Sequence, residues 1–136
     1  ELSEPIALHV RRTDYVEKSQ DHPPCSMKYY HEALKRFHEK RPVVIFSDDV
    51  KWCKEQDIFK PDRFLVSETD NNIYDMCMMT MCDDYIIANS SFSWWGAWLS
   101  HNPDPTVIAP KKWFGDTGYT AKNNTEDICP DRWVRI

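Results

Sequence analysis

Ile6-Ala7-Leu8-His9-Val10-Arg11-Arg12-Thr13-Asp14-Tyr15 is the stretch from which the fold is read. Its apolar run alternates as a strand does, and it ends abruptly in His-x-Arg-Arg-x-Asp. Side chains alternate across a strand, so Ile6, Leu8 and Val10 share one face while His9 and Arg11 share the other. Arg12 points away from Arg11 if the strand continues that far. Two adjacent guanidiniums at a strand end suit an anion, because the planar fork of Arg matches phosphate oxygens two at a time. A solvated basic turn accounts for the same residues, and the stretch alone leaves both readings open.

Further strands are expected at Val43 to Ser47, Arg63 to Ser67, Tyr85 to Ala88 and Thr106 to Ala109, with a short one at Trp133 to Ile136. Helical patterns fall between them, over Ser26 to Lys40, Val50 to Gln56, Asn72 to Cys82 and Ser91 to Ser100. Strands alternating with helices predict an α/β fold: a Rossmann-like, doubly wound parallel sheet of about five strands. The commonest strand order, 3-2-1-4-5, sets the first and fourth strands side by side. Ligands of such sheets bind outside the carboxyl ends of the strands, where the order reverses. Thr13 to Cys25 is expected to be a loop at that end, since Pro23 and Pro24 block a helix.

The chain has 136 residues, 41% hydrophobic and 29% charged, which is the composition of one globular domain, residues 1–136. A net charge of −5 argues against a nucleic-acid or anionic-membrane binder, so a phosphate site would be a local basic spot. The five cysteines form no C-x-x-C pair, and their odd count suits reduced, intracellular thiols. Zinc would need ligands grouped at metal spacing, and none are. The first strand lacks the G-x-G-x-x-G turn of a dinucleotide dehydrogenase.

The fourth strand runs into Asn89-Ser90-Ser91-Phe92-Ser93-Trp94-Trp95-Gly96-Ala97-Trp98-Leu99. A helix starting at Ser90 or Ser91 presents free amides and a positive dipole end, which suit a phosphate; taken in isolation, the stretch reads first as plain capping by Ser90 and Ser91. The predicted fold sets this helix start beside Arg11. The three tryptophans read as core, with Trp94 the one expected nearest a ligand. Gly96 is expected to permit close approach of helix and strand. Asp75 lies in a first helical turn, either closing a capping box with Asn72 or accepting hydrogen bonds from a base edge. Of Asp48 and Asp49, one is expected to cap the next helix and the other to reach the ligand. Asp83 and Asp84, at the amino edge, are expected to be solvated. His9 is either a ligand contact or a satisfied core histidine.

His9-Val10-Arg11-Arg12-Thr13-Asp14-Tyr15 together with Asn89 to Leu99 resembles the signature motifs of the α-1,2-fucosyltransferases. More distantly the chain is similar to the α-1,6- and protein O-fucosyltransferases. The resemblance implies a GT-B architecture, of which this chain corresponds to the C-terminal half that binds GDP-fucose. It implies inverting transfer of L-fucose to a glycan hydroxyl, with α-1,2 linkage to galactose. By motif position it makes Arg11 the holder of the β-phosphate, supported by His9 and Arg12, with Ser90 and Ser91 completing the phosphate site. It raises Asp75 to a guanine-recognising residue, matches Asp48 and Asp49 to an Asp pair contacting nucleotide or sugar, and leaves Asp14 as a candidate general base. No metal or other cofactor is expected, because no acidic cluster of Asp-x-Asp type lies near the motifs.

An N-terminal half or partner chain supplying much of the acceptor site is implied and is not among these residues. The alternative expectation is therefore an isolated GDP- or GDP-fucose-binding module. A bacterial-type cytoplasm is the expected setting, with a Golgi lumen as the alternative for a fragment. The sequon at Asn89 lies inside the ligand motif, where a glycan would not fit.

Overall fold

The computed structural model describes residues 3–118 and 120–136. It contains six parallel strands in the order β3-β2-β1-β4-β5-β6. These are β1 (Ile6–Val10), β2 (Val43–Ser47), β3 (Phe64–Val66), β4 (Asp84–Ile86), β5 (Val107–Ala109) and β6 (Val134–Arg135). Helices α1 (Thr13–Glu17), α2 (Met27–Leu34), α3 (Val50–Glu55), α4 (Asn72–Thr80) and α5 (Ser91–Trp98) connect or flank them. The expected doubly wound α/β sheet is therefore present. The short C-terminal segment joins it as a sixth strand, pairing Ile108 with Val134 and Ala109 with Arg135.

Strand alternation sorts the core into two layers. Ile6, Leu8, Val10, Val43, Ile45, Ile86 and Ile108 meet Tyr29, Tyr30, Ala33 and Leu34 of α2 and Cys53 of α3. Ala7, Val44, Phe46, Tyr85, Ile87, Val107 and Ala109 meet Met79 of α4, Ala97 of α5 and the tail residues Trp113, Cys129 and Trp133. All five residues of β1 are buried, as both faces of a parallel sheet usually are. Each fully buried aliphatic side chain contributes roughly 1.5–3 kcal/mol relative to exposure. Two α2 phenols finish the strand ends: Tyr30 donates to the His9 carbonyl at 2.9 Å, and Tyr29 to that of Ile87 at 2.6 Å, with the Ile108 carbonyl 3.1 Å away.

Several local expectations differ from the structure for identifiable reasons. The segment after Arg12 is not all loop, because α1 forms there with its first amides satisfied from β2 (below). The helix expected to reach Lys40 ends at Leu34, where the amides of Arg36 and Phe37 tighten onto the carbonyls of Ala33 and Leu34. That turn lays Phe37 against the first core layer. Gly96 serves a helix–helix contact rather than a helix–strand one, since a Cβ there would stand 2.2 Å from Met79 Sδ on α4. Trp94 alone of its three tryptophans is packed inward; Trp95 and Trp98 are 49% and 46% exposed. Asp84 is not simply solvated, for it pairs with Arg41 at 2.7 Å and accepts the Thr106 amide at 2.6 Å.

The tail from Lys111 onward folds back across the carboxyl edge. Gly115 donates its amide to the Asp21 carbonyl at 3.0 Å, and Thr120 donates its amide to Asp21 Oδ1 at 2.9 Å. A Cβ on Gly115 would lie 1.7 Å from the Gln20 carbonyl oxygen, so backbone would have to move. Gly115→Ala is expected to destabilise the protein by about 1–3 kcal/mol, the usual range for overpacking. Hydrogen exchange should quicken through the tail; an unchanged unfolding midpoint would contradict the close docking.

Candidate functional site

The order of the sheet reverses between β1 and β4, and the carboxyl ends of both open on one side. Their motifs meet there. His9 is the penultimate residue of β1 and is buried, with its Nδ1 2.8 Å from Ser93 Oγ on α5. Its ring lies 5.4 Å from that of Phe92. Burial lowers the His9 pKa to about 4; the Asp48 charge opposes that shift and the Arg11 charge adds to it. The imidazole is thus neutral at physiological pH.

Arg11 leaves β1 toward the cleft. Its Nε and Nη2 donate to the two oxygens of Asp14, each at 3.1 Å, while its Nε lies 3.5 Å from Asp48 Oδ2. The Arg11 hydrogen bond holds the Asp14 carboxyl below the usual carboxylate range, against an opposing effect of burial. Asp14 and Arg11, expected as separate base and phosphate ligand, therefore form a fork-to-fork pair in this structure. Arg11 Nη1 is outside that pairing.

Asp48 explains why the chain turns here. It accepts the amides of Arg12 and Thr13 at 2.9 and 3.1 Å and the Thr13 hydroxyl at 2.6 Å. It thereby caps α1 from the neighbouring strand, since the Arg12 side chain provides no cap of its own. Asp49 caps α3, accepting the Trp52 amide at 3.2 Å. Arg12 turns toward α3, its guanidinium 3.9 Å above the Trp52 ring and its Nε 3.6 Å from Asp49. Of the roles expected for Arg12, this geometry serves the shaping of the loop.

Across the switch point, Ser90 caps α5 by accepting the Phe92 amide at 3.3 Å. Ser90, Ser91 and Phe92 line a hollow of about 650 Å³ with Arg11, Asp14, Tyr15, Lys18, Asp21, His22 and Thr120. Asn89 is buried, donating to the carbonyls of Pro23 and Trp113 at 2.9 Å each, which pins both loops bordering this hollow and leaves no room for a glycan. Trp94 is not brought to the hollow. Its indole N–H donates to Ile128 at 2.7 Å, and its ring stacks on Trp98 and packs against Trp133.

Asp75 stands on the other side of Arg11. The N-cap of α4 is Asn71, not Asn72, and its side chain accepts the amides of Ile73 and Tyr74. The Asp75 carboxylate is left for other partners: Oδ1 accepts the hydroxyls of Ser67 and Thr69 at 2.6 and 2.8 Å. It borders a second hollow of about 520 Å³ with Ser47, Asp48, Ser67, Asn71 and Asn72. A waist of about 60 Å³, lined by His9, Arg11, Phe46, Ser47, Asp48, Asn72, Asp75 and Phe92, has walls in common with both hollows. The three hollows adjoin through these shared walls and make a trough in three parts, from Asp75, past His9 and Arg11, to the start of α5.

The pattern Ser-x-Thr upstream of Asp75 was the signal for the two hydroxyls that orient it. Tyr15, Lys18, His22 and Thr120 had no comparable signal; the tail brings Thr120 to Asp21, in the loop after α1, from 99 residues away. The five cysteines are unpaired. Among the described residues no helix is long and apolar enough to cross a membrane.

The family model of glycosyl transferase family 11 matches residues 1–136. The O-antigen biosynthesis glycosyltransferase WbnK of Escherichia coli is 36% identical over 138 residues, covering 96% of this chain and 44% of that protein. An alpha-1,2-colitosyltransferase of Escherichia coli is 38% identical over 140 residues, covering 96% of this chain and 47% of that protein. The galactoside alpha-(1,2)-fucosyltransferase 1 of Leontocebus fuscicollis is 28% identical over 104 residues, 70% of this chain and 28% of that protein. The chain thus spans less than half the length of each of these relatives. No solved structure matches.

The buried neutral His9 makes stability depend on pH. Above pH 6.5 both folded and unfolded forms are neutral and His9 contributes nothing to the dependence. Between 6.5 and about 4 the unfolded chain binds the extra proton, so stability falls as the pH falls. The loss attributable to His9 across that window is on the order of 3 kcal/mol. His9→Gln is expected to flatten the curve of denaturation midpoint against pH between these values; an unchanged slope would contradict a buried neutral imidazole.

Proposed function

The chain belongs to glycosyltransferase family 11, and on that premise we propose that residues 1–136 form the donor-binding half of an inverting α-1,2-fucosyltransferase. The donor is GDP-fucose and the acceptor a glycan galactose hydroxyl. The observation that carries this reading is the row of three adjoining hollows that takes in Asp75, His9, Arg11 and the start of α5 along the carboxyl edge. A nucleoside diphosphate sugar needs a base pocket, an anion site and a sugar pocket in that sequence, and the trough offers each. The relatives' names divide between colitosyl and fucosyl transfer; fucosyl is the reading that the motif resemblance implies.

In this reading guanine occupies the hollow beside Asp75. Ser67 and Thr69 already occupy Oδ1, which fixes the carboxylate toward the base and leaves Oδ2 to accept from N1 and the exocyclic amine. The diphosphate lies across the waist, with Arg11 Nη1 as a donor and the positive end of α5 beside it. Fucose enters the larger hollow near Asp14. Inverting displacement at the anomeric carbon breaks the bond to the diphosphate oxygen as the acceptor oxygen arrives from the opposite face. Negative charge grows on GDP, and donors already held in place stabilise it without reorganising. Asp14 is the group we assign to accept the acceptor's hydroxyl proton, although its pairing with Arg11 makes it a weaker base.

This scheme requires no metal. The architecture of the whole enzyme is GT-B, with the acceptor bound largely by the other half. A bacterial-type cytoplasm is the setting we assign, supported by the unpaired cysteines and the two Escherichia coli relatives.

The test is transfer of labelled fucose from GDP-fucose to a galactoside by the full-length protein. Arg11→Ala should reduce turnover by about 10²–10³, the loss of one transition-state donor at roughly 2.7–4 kcal/mol. Asp14→Asn should lower kcat more than it raises the KM for donor. Wild-type turnover in either variant would remove that residue from its role. Asp75→Asn should weaken GDP binding and leave folding intact.

A further inference from the structure

The contact between β1 and α5 inside the switch point carries information about a proton. Ser93, the third residue of α5, is fully buried, and its Oγ lies 2.8 Å from His9 Nδ1. The Ala88 amide donates to the same oxygen at 3.2 Å. A serine hydroxyl has one proton to give. Three acceptors compete for it: His9 Nδ1 at 2.8 Å, and the carbonyls of Ala88 and Ser90, each at 3.5 Å. Hydroxyl hydrogen bonds run between about 2.5 and 3.0 Å, so the two carbonyls are out of range and Nδ1 is not.

An imidazole that accepts at Nδ1 and is neutral must carry its hydrogen on Nε2. His9 Nε2 has no hydrogen-bond partner among the described residues and is not sealed from solvent. The ring borders the waist of the trough with Arg11, Asp48 and Asp75. We propose that Ser93 is a positioning residue that locks His9 in the Nε2–H tautomer and turns that N–H into the waist as a fixed donor to the diphosphate.

The opposite tautomer would face phosphate oxygens with a lone pair. A protonated ring would be the stronger donor, but burial beside the Arg11 charge disfavours it, with the Asp48 charge acting against that. Through the same oxygen Ser93 ties the end of β4 to the start of α5, so the donor and the helix terminus keep their spacing. The role of the N–H rests on the cleft holding a nucleoside diphosphate; the tautomer does not.

Long-range ¹⁵N–¹H correlation on the wild-type protein at pH 7.5 reads the tautomer directly, with the His9 signals identified by their loss in His9→Gln. The expected pattern has protonated Nε2 and bare Nδ1. The reverse pattern overturns the proposal, whether or not any variant folds. In Ser93→Ala the two tautomers should mix, and GDP affinity by calorimetry should fall about three- to ten-fold, the range for one neutral hydrogen bond. Ser93→Thr, which keeps the hydroxyl, should keep the Nε2–H form. A Ser93→Ala protein with an unchanged tautomer and unchanged GDP affinity also overturns it. If the wild type binds no GDP while His9 holds the expected tautomer, the reading of the cleft fails and the Ser93 lock stands.

Discussion

A carboxylate from the neighbouring strand end governs how the first strand terminates. Asp48 takes up the amides of Arg12 and Thr13, so the chain coils into α1 immediately after β1. It also lies against Arg11 Nε. Without a partner from outside, the start of so short a helix would leave donors unsatisfied at the mouth of a cleft. The same carboxylate fixes where Arg11 and Asp14 stand, so the register of β1 against β2, which pairs Val10 with Ser47, transmits directly into site geometry.

The rest of the site is assembled from the opposite side by comparable economy. Ser90 caps α5 with its side chain, Ser93 joins that helix to His9, and Asn89 holds the two flanking loops. Polar residues that could pass for ordinary capping therefore fall into two groups. Ser90, Asp49 and Asn71 cap their own helices, while Asp48, Asn89 and Ser93 bridge elements far apart in the chain.

That division marks what was legible in the sequence. Alternation in Ile6 to Val10 and the βα order gave the sheet, its strand order and the meeting of Arg11 with Ser90 and Ser91, because both patterns depend on periodicity within a segment. The Arg11–Asp14 pair is local too, three residues apart, yet the fork geometry needed α1, which forms only because Asp48 reaches across from β2. Trp94 read as the tryptophan nearest a ligand, but the tail residue Ile128 takes its N–H and Trp133 packs against its ring. Gly96 read as a helix–strand contact and meets Met79 on the adjacent helix instead. Long-range partners decided each of these cases, and a linear pattern does not contain them.

The central claim is that one ligand spans the carboxyl edge from Asp75 to the start of α5. Hydrogen exchange by mass spectrometry with and without saturating GDP tests it most directly. The account predicts protection in three separate segments, around residues 10–15, 71–76 and 88–93, with the amino edge of the sheet unchanged. Protection absent from these strand ends, or confined to one of them, would contradict it.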